Sequence, residues 1–143
     1  MKTKNLEETK KIAEILLRKI SAPKQNARLI TLSGDLGAGK TTLTQKIGEL
    51  LEIKEKINSP TFVISKKYKI KSKNFPWKNL IHIDAYRLER EEDLELIGLK
   101  DDLKNPENLI FLEWPEMIEK WLPKDSTKIQ LKYIDKDERE IKF

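Results

Sequence analysis

The stretch RLITLSGDLGAGKTTL, residues 28–43, decides the fold. Residues 28–33 are rich in leucine, isoleucine and threonine, a composition typical of a short buried strand. Residues 34–41 match the pattern G-x-x-x-x-G-K-[ST] in full, and apolar residues at helical spacing follow from Leu43 to Leu51. A strand, a glycine loop and a helix in this order are the context in which the pattern cradles phosphate. The stretch therefore predicts a P-loop α/β fold.

Each constrained position of this loop has a chemical reason. Glycines allow successive backbone N–H groups to approach phosphate oxygens, and the start of the following helix favours negative charge. Lys40 is predicted to neutralise the β- and γ-phosphates and to act in catalysis, Thr41 to ligate Mg²⁺ through its hydroxyl, and Thr42 to contact the α-phosphate. The predicted nucleotide-binding residues of the loop are Gly37, Ala38, Gly39, Lys40, Thr41 and Thr42.

Two acidic residues end apolar segments that are typical of buried strands. Asp84 follows the run LIHI, and Glu113 follows the run LIFL. Carboxylates at the ends of parallel strands point into the crevice where open α/β sheets bind ligands. Both are therefore predicted as catalytic and metal-site residues. Spacing does not decide which of them contacts Mg²⁺ and which orients the attacking water.

Other candidates allow two interpretations each. Thr61, in the segment NSPT, matches the place of a γ-phosphate sensor in switch proteins, and an ordinary Ser-Pro turn fits equally well. Trp114 could stack on adenine or fill the rim of the crevice. His82 lies within an apolar run without a second histidine, so we predict a packed residue and no metal ligand. Arg87 and Arg90 could pair with phosphate or with the acidic run 89–95.

The rest of the chain predicts one α/β domain over residues 1–143. Further helices are expected at 6–20, 91–97 and 116–121, and further strands at 61–70, 80–84, 109–113, 128–133 and 140–143. These elements favour a mixed, mostly parallel central sheet flanked by helices.

The chain has no cysteine, which excludes disulfides and thiol catalysis, and no apolar run of membrane-spanning length. Its N-terminal segment lacks an apolar signal core, so we predict a cytoplasmic protein without a membrane partner.

The net charge of +5 includes a local cluster of lysines between Lys66 and Lys78. Tyr68, Phe75 and Trp77 are interleaved with these lysines. Such a cluster could meet phosphates or an acidic partner surface. A solvated hairpin whose lysines protect a sheet edge explains the same residues, and it is the favoured interpretation because a charge run has little specificity.

The chain resembles the TsaE (YjeE) family, bacterial ATPases of tRNA threonylcarbamoyladenosine synthesis. Five blocks in family order carry the resemblance: GDLGAGKTTL (34–43), SPTF (59–62), HIDAYRL (82–88), ELIGL (95–99) and LEWPE (112–116). The resemblance implies binding of ATP or ADP with Mg²⁺ and a cycle that drives or resets a TsaB–TsaD complex acting on tRNA adenosine 37. It implies phosphate and metal contacts at Lys40, Thr41 and Thr42, a switch-like Thr61, a catalytic or metal-shell Asp84, a metal-binding Glu113 and a base-proximal Trp114. It further implies nucleotide contacts from Arg139 and from the start of the first helix, near Leu6 to Thr9.

Two other functions fit the phosphate loop. A small-molecule P-loop kinase would share it, but such kinases usually add an arginine-bearing lid. No arginine occurs here between Glu113 and Arg139, which argues against that lid. A nucleotide-regulated module that binds tRNA directly through the lysine cluster is the second alternative, and salt-dependent tRNA binding in the absence of TsaB and TsaD would favour it.

Overall fold

Seven strands of the described residues form one sheet, in the order β1-β7-β6-β2-β5-β4-β3. The computed structural model describes residues 1–22, 24–58 and 64–143. The strands are β1 (Lys2–Thr3), β2 (Arg28–Ser33), β3 (Ser65–Lys69), β4 (Asn79–Asp84), β5 (Asn108–Glu113), β6 (Thr127–Tyr133) and β7 (Arg139–Lys142). The four central strands β6, β2, β5 and β4 pair in parallel, and the outer pairings are antiparallel. The predicted mixed sheet is confirmed, and its parallel part is the central four strands.

Helices cover both faces of the sheet. Helix α1 (Leu6–Ile20) begins where the Asn5 side chain accepts a hydrogen bond from the Glu8 N–H, at 2.9 Å. With α2 (Lys40–Leu50) it packs on one face, against apolar side chains of β2, β5 and β6. The short helices α3 (Glu91–Leu96) and α4 (Leu99–Lys104) belong to a second core on the opposite face. The alternation of strand side chains therefore separates two hydrophobic cores.

Several elements differ from the sequence prediction. Strand β1 and helix α4 were not predicted. They span only two and six residues, which is too short for the periodicity of a strand or a helix to be recognised in the sequence. The prediction of a helix at 116–121 was wrong, because this segment forms two 3₁₀ turns, Pro115–Met117 and Glu119–Trp121. Ile118, at φ −135°, leaves the helical region between the turns. The expected strand 61–70 begins at Ser65, and residues 61–63 lie outside the described part.

The lysine-rich segment forms one edge of the sheet that the described residues build. Among the described residues strand β3 pairs only with β4, and Tyr68 is buried while Lys66, Lys67 and Lys69 are exposed. The predicted position of these lysines at a sheet edge is confirmed for Ser65–Lys69. No helix in residues 1–22, 24–58 and 64–143 has the length and apolar character to cross a membrane.

Candidate active site

The glycine loop connects the end of β2 to the first turn of α2. Gly37 and Gly39 have φ values of +81° and +100°, in the left-handed region that side chains other than glycine rarely adopt. Gly39 caps α2, and its carbonyl accepts from the Leu43 N–H at 2.9 Å. The loop thus places consecutive backbone N–H groups at the N-terminus of an 11-residue helix. This is the backbone arrangement that binds phosphate in other proteins.

Gly34 sets the position of the loop against the sheet. A Cβ on Gly34 would lie 2.5 Å from the Leu131 carbonyl oxygen of β6, which is closer than atoms can approach. The backbone of the loop therefore runs directly against the neighbouring strand. A side chain at this position would displace the loop from the edge where the strands end.

The Lys40 side chain folds back over its own loop. Its ammonium donates to the Gly34 carbonyl and to the Asp35 carbonyl, the latter at 3.3 Å. The same nitrogen lies 4.2 Å from the centre of the Trp114 ring, within the range of a cation–π interaction. Lys40 is 7% exposed, so this residue is almost fully shielded from water at the base of the loop.

Asp84 and Glu113 lie side by side at the ends of β4 and β5. They are direct partners in the parallel register, and Glu113 also pairs in register with Leu32 of β2. The Asp84 carboxylate accepts a hydrogen bond from the Tyr86 N–H at 3.0 Å, which fixes its orientation. Glu113 is 2% exposed, and its Oε1 has no hydrogen-bond partner among the described residues. The structure thus brings together the two acids that were predicted from the sequence as site residues.

His82 is completely buried on β4, in agreement with the prediction of a packed residue. Its Nε2 is 3.7 Å from Glu113 Oε2, beyond hydrogen-bond distance. Neither ring nitrogen has a partner within the described part of the chain. A buried histidine therefore lies beside one of the two acids with its hydrogen-bonding capacity unused.

A cavity of about 730 Å³ gathers most of the candidate residues. Its volume is in the range of small-molecule and cofactor sites. The loop, both acids, Trp114, Arg87, Arg139 and the start of α1 line it. Arg90 and His82 are not among the lining residues. Thr61 lies outside the described residues, so its predicted role stays a prediction.

The rim of the cavity holds the remaining candidates. Trp114 has a φ of +59° and contacts the Tyr86 ring edge-on, with 5.2 Å between ring centres. The indole thus covers the Lys40 ammonium, and its approach to a base stays a prediction. Arg139 stacks over the Tyr133 ring at 4.5 Å and donates to the Asp135 and Glu138 carbonyls at 2.5 and 3.0 Å. These contacts hold its guanidinium near the hairpin that joins β6 and β7.

The donor set of the cavity fits Mg²⁺ bound together with phosphates. In the described residues no three His, Cys, Asp or Glu side chains converge, so this is no all-protein metal cage. Mg²⁺ needs only one or two carboxylates when phosphates supply the other oxygens. The unpartnered buried oxygen of Glu113, the Asp84 carboxylate and the Thr41 hydroxyl are oxygen ligands of the required kind.

Comparison with known proteins gives the family. Residues 3–141 match the sequence profile of the family "Threonylcarbamoyl adenosine biosynthesis protein TsaE". The chain belongs to the TsaE family. The TsaE protein of Bacillus subtilis is 41% identical over 143 residues, covering 99% of this chain and 82% of that protein. The TsaE protein of Haemophilus influenzae is 35% identical over 134 residues, and the match covers 94% of this chain and 78% of the Haemophilus protein. Both carry the name tRNA threonylcarbamoyladenosine biosynthesis protein TsaE.

A solved structure resembles this TsaE-family fold. The crystal structure of Bacillus subtilis YdiB matches with a TM-score of 0.73 and 34% sequence identity. The match covers 99% of this chain and 80% of the YdiB chain. The arrangement of the sheet and helices described above is therefore shared with an experimentally determined protein.

Sequence reasoning missed several residues of the cavity in this TsaE-family member. Thr3, Lys136 and Asp137 line it, although none belongs to a recognisable motif. Antiparallel pairing of β1 with β7 carries the first and last strands to the cavity, and this pairing joins residues more than 130 positions apart. Tyr86, within the block HIDAYRL, and Asp35 and Leu36, within the block GDLGAGKTTL, also line the cavity, and their motifs gave a signal that could have been used.

Proposed function

We propose that this protein is a cytoplasmic Mg²⁺-dependent ATP hydrolase required for threonylcarbamoyladenosine modification of tRNA at adenosine 37. It would act with TsaB and TsaD, using ATP binding and hydrolysis to drive or reset that complex, and would meet tRNA only through it. The observation that carries the proposal is the placement of a complete phosphate loop opposite two strand-end carboxylates in one cavity. Membership of the TsaE family supports the pathway.

Nucleotide binding follows from the loop. Its backbone N–H groups and the start of α2 offer several hydrogen bonds to phosphate oxygens. Lys40 would leave the Gly34 and Asp35 carbonyls and transfer its charge to the β- and γ-phosphates. Thr42 is the third residue of α2 and lines the cavity, where its hydroxyl can donate to the α-phosphate. These groups bind the polyphosphate mainly through charge and backbone geometry.

Hydrolysis requires a positioned water and stabilised negative charge. Asp84 and Glu113 would divide the tasks of orienting the water and completing the metal site, because they are neighbours in the sheet register. Magnesium held by Thr41 and an acid would supply neutralisation of charge on the β- and γ-phosphates. Lys40 and the loop N–H groups would stabilise the charge that develops in the transition state.

Exposure of the cavity rim supports a role for partners. Leu36 at the tip of the loop is 92% exposed, and Tyr86 and Leu6 are 58% and 56% exposed. All three line the cavity, so apolar side chains border a mouth that is open to water. Water around the γ-phosphate weakens each electrostatic contact made there. A partner surface covering this mouth would exclude water and would bury the three apolar side chains.

The test is the steady-state rate of phosphate release for the protein alone and with TsaB and TsaD. We expect a slow rate alone and an increase of about 10³-fold with both partners, similar to other partner-activated P-loop proteins. Arg87 and Arg139 both line the cavity, so the Arg87→Ala and Arg139→Ala variants together separate an arginine of this chain from one supplied by a partner. A fast rate that partners leave unchanged would contradict the partner-completed site. With labelled ATP as the substrate, transfer of the labelled phosphate to a metabolite would indicate a kinase instead of a hydrolase.

A further inference from the structure

His82 presents unused hydrogen-bonding groups inside the protein. Its neighbours on β4 are apolar: Leu80, Ile81 and Ile83 are all at most 1% exposed. An apolar side chain would suit such a position, because burying an unpaired polar group is unfavourable and native proteins seldom do it. The position therefore calls for an explanation other than core packing.

The placement of His82 in the sheet gives that explanation. Side chains on a strand alternate between faces, so His82 and Asp84 share one face of β4, and Phe111 and Glu113 share the same face of β5. His82 pairs in register with Phe111, and Asp84 with Glu113. His82 is thus the diagonal neighbour of Glu113. The 3.7 Å from Nε2 to Oε2 exceeds the hydrogen-bond range by only about 0.5 Å.

Comparison of the two acids supports a specific role. The backbone N–H of Tyr86 holds the Asp84 carboxylate. Glu113 has no corresponding backbone donor among the described residues, and its Oε1 is unpartnered. His82 is the buried polar side chain beside it, and it does not line the cavity. An Nε2–H donated to Oε2 would fix one carboxylate oxygen and leave the other to act.

We propose that His82 is a positioning residue that orients the Glu113 carboxylate for the metal and water side of the cavity through its Nε2–H. This inference rests on the proposed function, since it assumes that Glu113 serves Mg²⁺ and the nucleotide. Buried groups that orient a metal ligand commonly raise metal affinity about 10- to 100-fold. His82 therefore acts through Glu113 and makes no contact of its own with the nucleotide.

Four variants of His82 and one control separate this role from plain packing. His82→Phe keeps a ring and removes both nitrogens, and His82→Leu is a second apolar variant should phenylalanine prevent folding. His82→Gln places an amide N–H close to the position of Nε2, whereas His82→Asn reaches only the position of Nδ1. Leu80→Val is the matched control, because it disturbs the same face of the same strand two residues away, where the side chain is 0% exposed.

The measurement is the affinity for ADP by calorimetry, with and without Mg²⁺, and the Mg²⁺ concentration that half-saturates the ADP complex. In His82→Phe we expect that concentration to rise at least tenfold, with ADP affinity in the absence of Mg²⁺ within about twofold of wild type. His82→Gln should recover most of the loss and His82→Asn should not. Leu80→Val should lower the melting temperature without changing the Mg²⁺ requirement.

A double-mutant cycle provides the decisive result. In a Glu113→Gln background, His82→Phe should have no further effect on the Mg²⁺ requirement, because the group it orients has lost its charge. Equal Mg²⁺ requirements in wild type and in every folded His82 variant would overturn the inference and leave the proposed function standing. A wild-type protein whose ADP binding does not respond to Mg²⁺ would overturn both.

Discussion

Replacement of Lys40 by alanine separates stability from catalysis at one residue. In the structure the ammonium has three partners, which are the Gly34 and Asp35 carbonyls and the Trp114 ring. A cation–π contact of this kind is worth about 1 kcal/mol, and relief of the buried ammonium offsets part of the lost hydrogen bonding. We therefore expect the free energy of unfolding to fall by about 1 kcal/mol. For a chain of this size that lowers the melting temperature by about 3 to 4 °C.

The catalytic effect of Lys40→Ala should be far larger. Loss of one preorganised charge removes about 3 kcal/mol of transition-state stabilisation. At 1.36 kcal/mol per factor of ten, turnover should fall roughly 150-fold. The assay is phosphate release at saturating ATP with TsaB and TsaD present, beside a thermal melt followed by circular dichroism.

Lys46→Ala is the matched control for Lys40→Ala. Lys46 lies on the same helix, forms an ion pair with Glu49 at 2.8 Å, and does not line the cavity. Its removal should change stability by about 0.5 kcal/mol or less and leave turnover unchanged. Near-normal turnover in a folded Lys40→Ala protein would refute the assignment of the loop. Loss of folding would instead show that the resting contacts of Lys40 hold the domain together.

Three further changes test other parts of the structure. Glu113→Gln should leave calorimetric ATP affinity within a few-fold and reduce turnover by more than tenfold; equal losses in both, or loss in neither, would remove Glu113 from the catalytic role. Gly34→Ala should lower the melting temperature by several degrees, because its Cβ would meet the Leu131 carbonyl at 2.5 Å, and an unchanged melt would contradict that close approach. Burial raises the pKa of Asp102 above its ordinary value of 3.8, a shift that nearby Lys67 partly opposes. The folded state therefore prefers the protonated carboxyl, so Asp102→Asn should raise the melting temperature at pH 7, with the gain disappearing below pH 3.8.

The sequence predicted the parts of the fold that have strong local signals. The strand 28–33, the helix 6–20 and the apolar runs that end at Asp84 and Glu113 were all found where expected. Periodicity and glycine spacing act over a few residues, so they can be recognised without tertiary information. The convergence of the two acids followed from a general rule for parallel sheets.

The parts that escaped prediction depend on long-range pairing or on individual dihedral angles. Strand β1 exists because it pairs with β7 at the far end of the chain. The turns after Pro115 replace a helix because Trp114 adopts a left-handed conformation and Ile118 leaves the helical region. The closeness of His82 to Glu113 depends on register between β4 and β5, and no spacing in the sequence reveals register.

In the proposed nucleotide site, the resting contacts of Lys40 would make phosphate binding an exchange of partners. The ammonium already has two carbonyl partners and an aromatic face. An incoming anion must therefore displace these contacts before it can pair with the positive charge of Lys40. The free energy of the contacts given up is subtracted from the affinity. A single inorganic phosphate offers little beyond that one charge, whereas a nucleotide polyphosphate also engages the loop N–H groups and the start of α2. In the proposed function, the folded-back lysine would therefore discriminate against a single inorganic phosphate and favour ligands that occupy the whole loop at once.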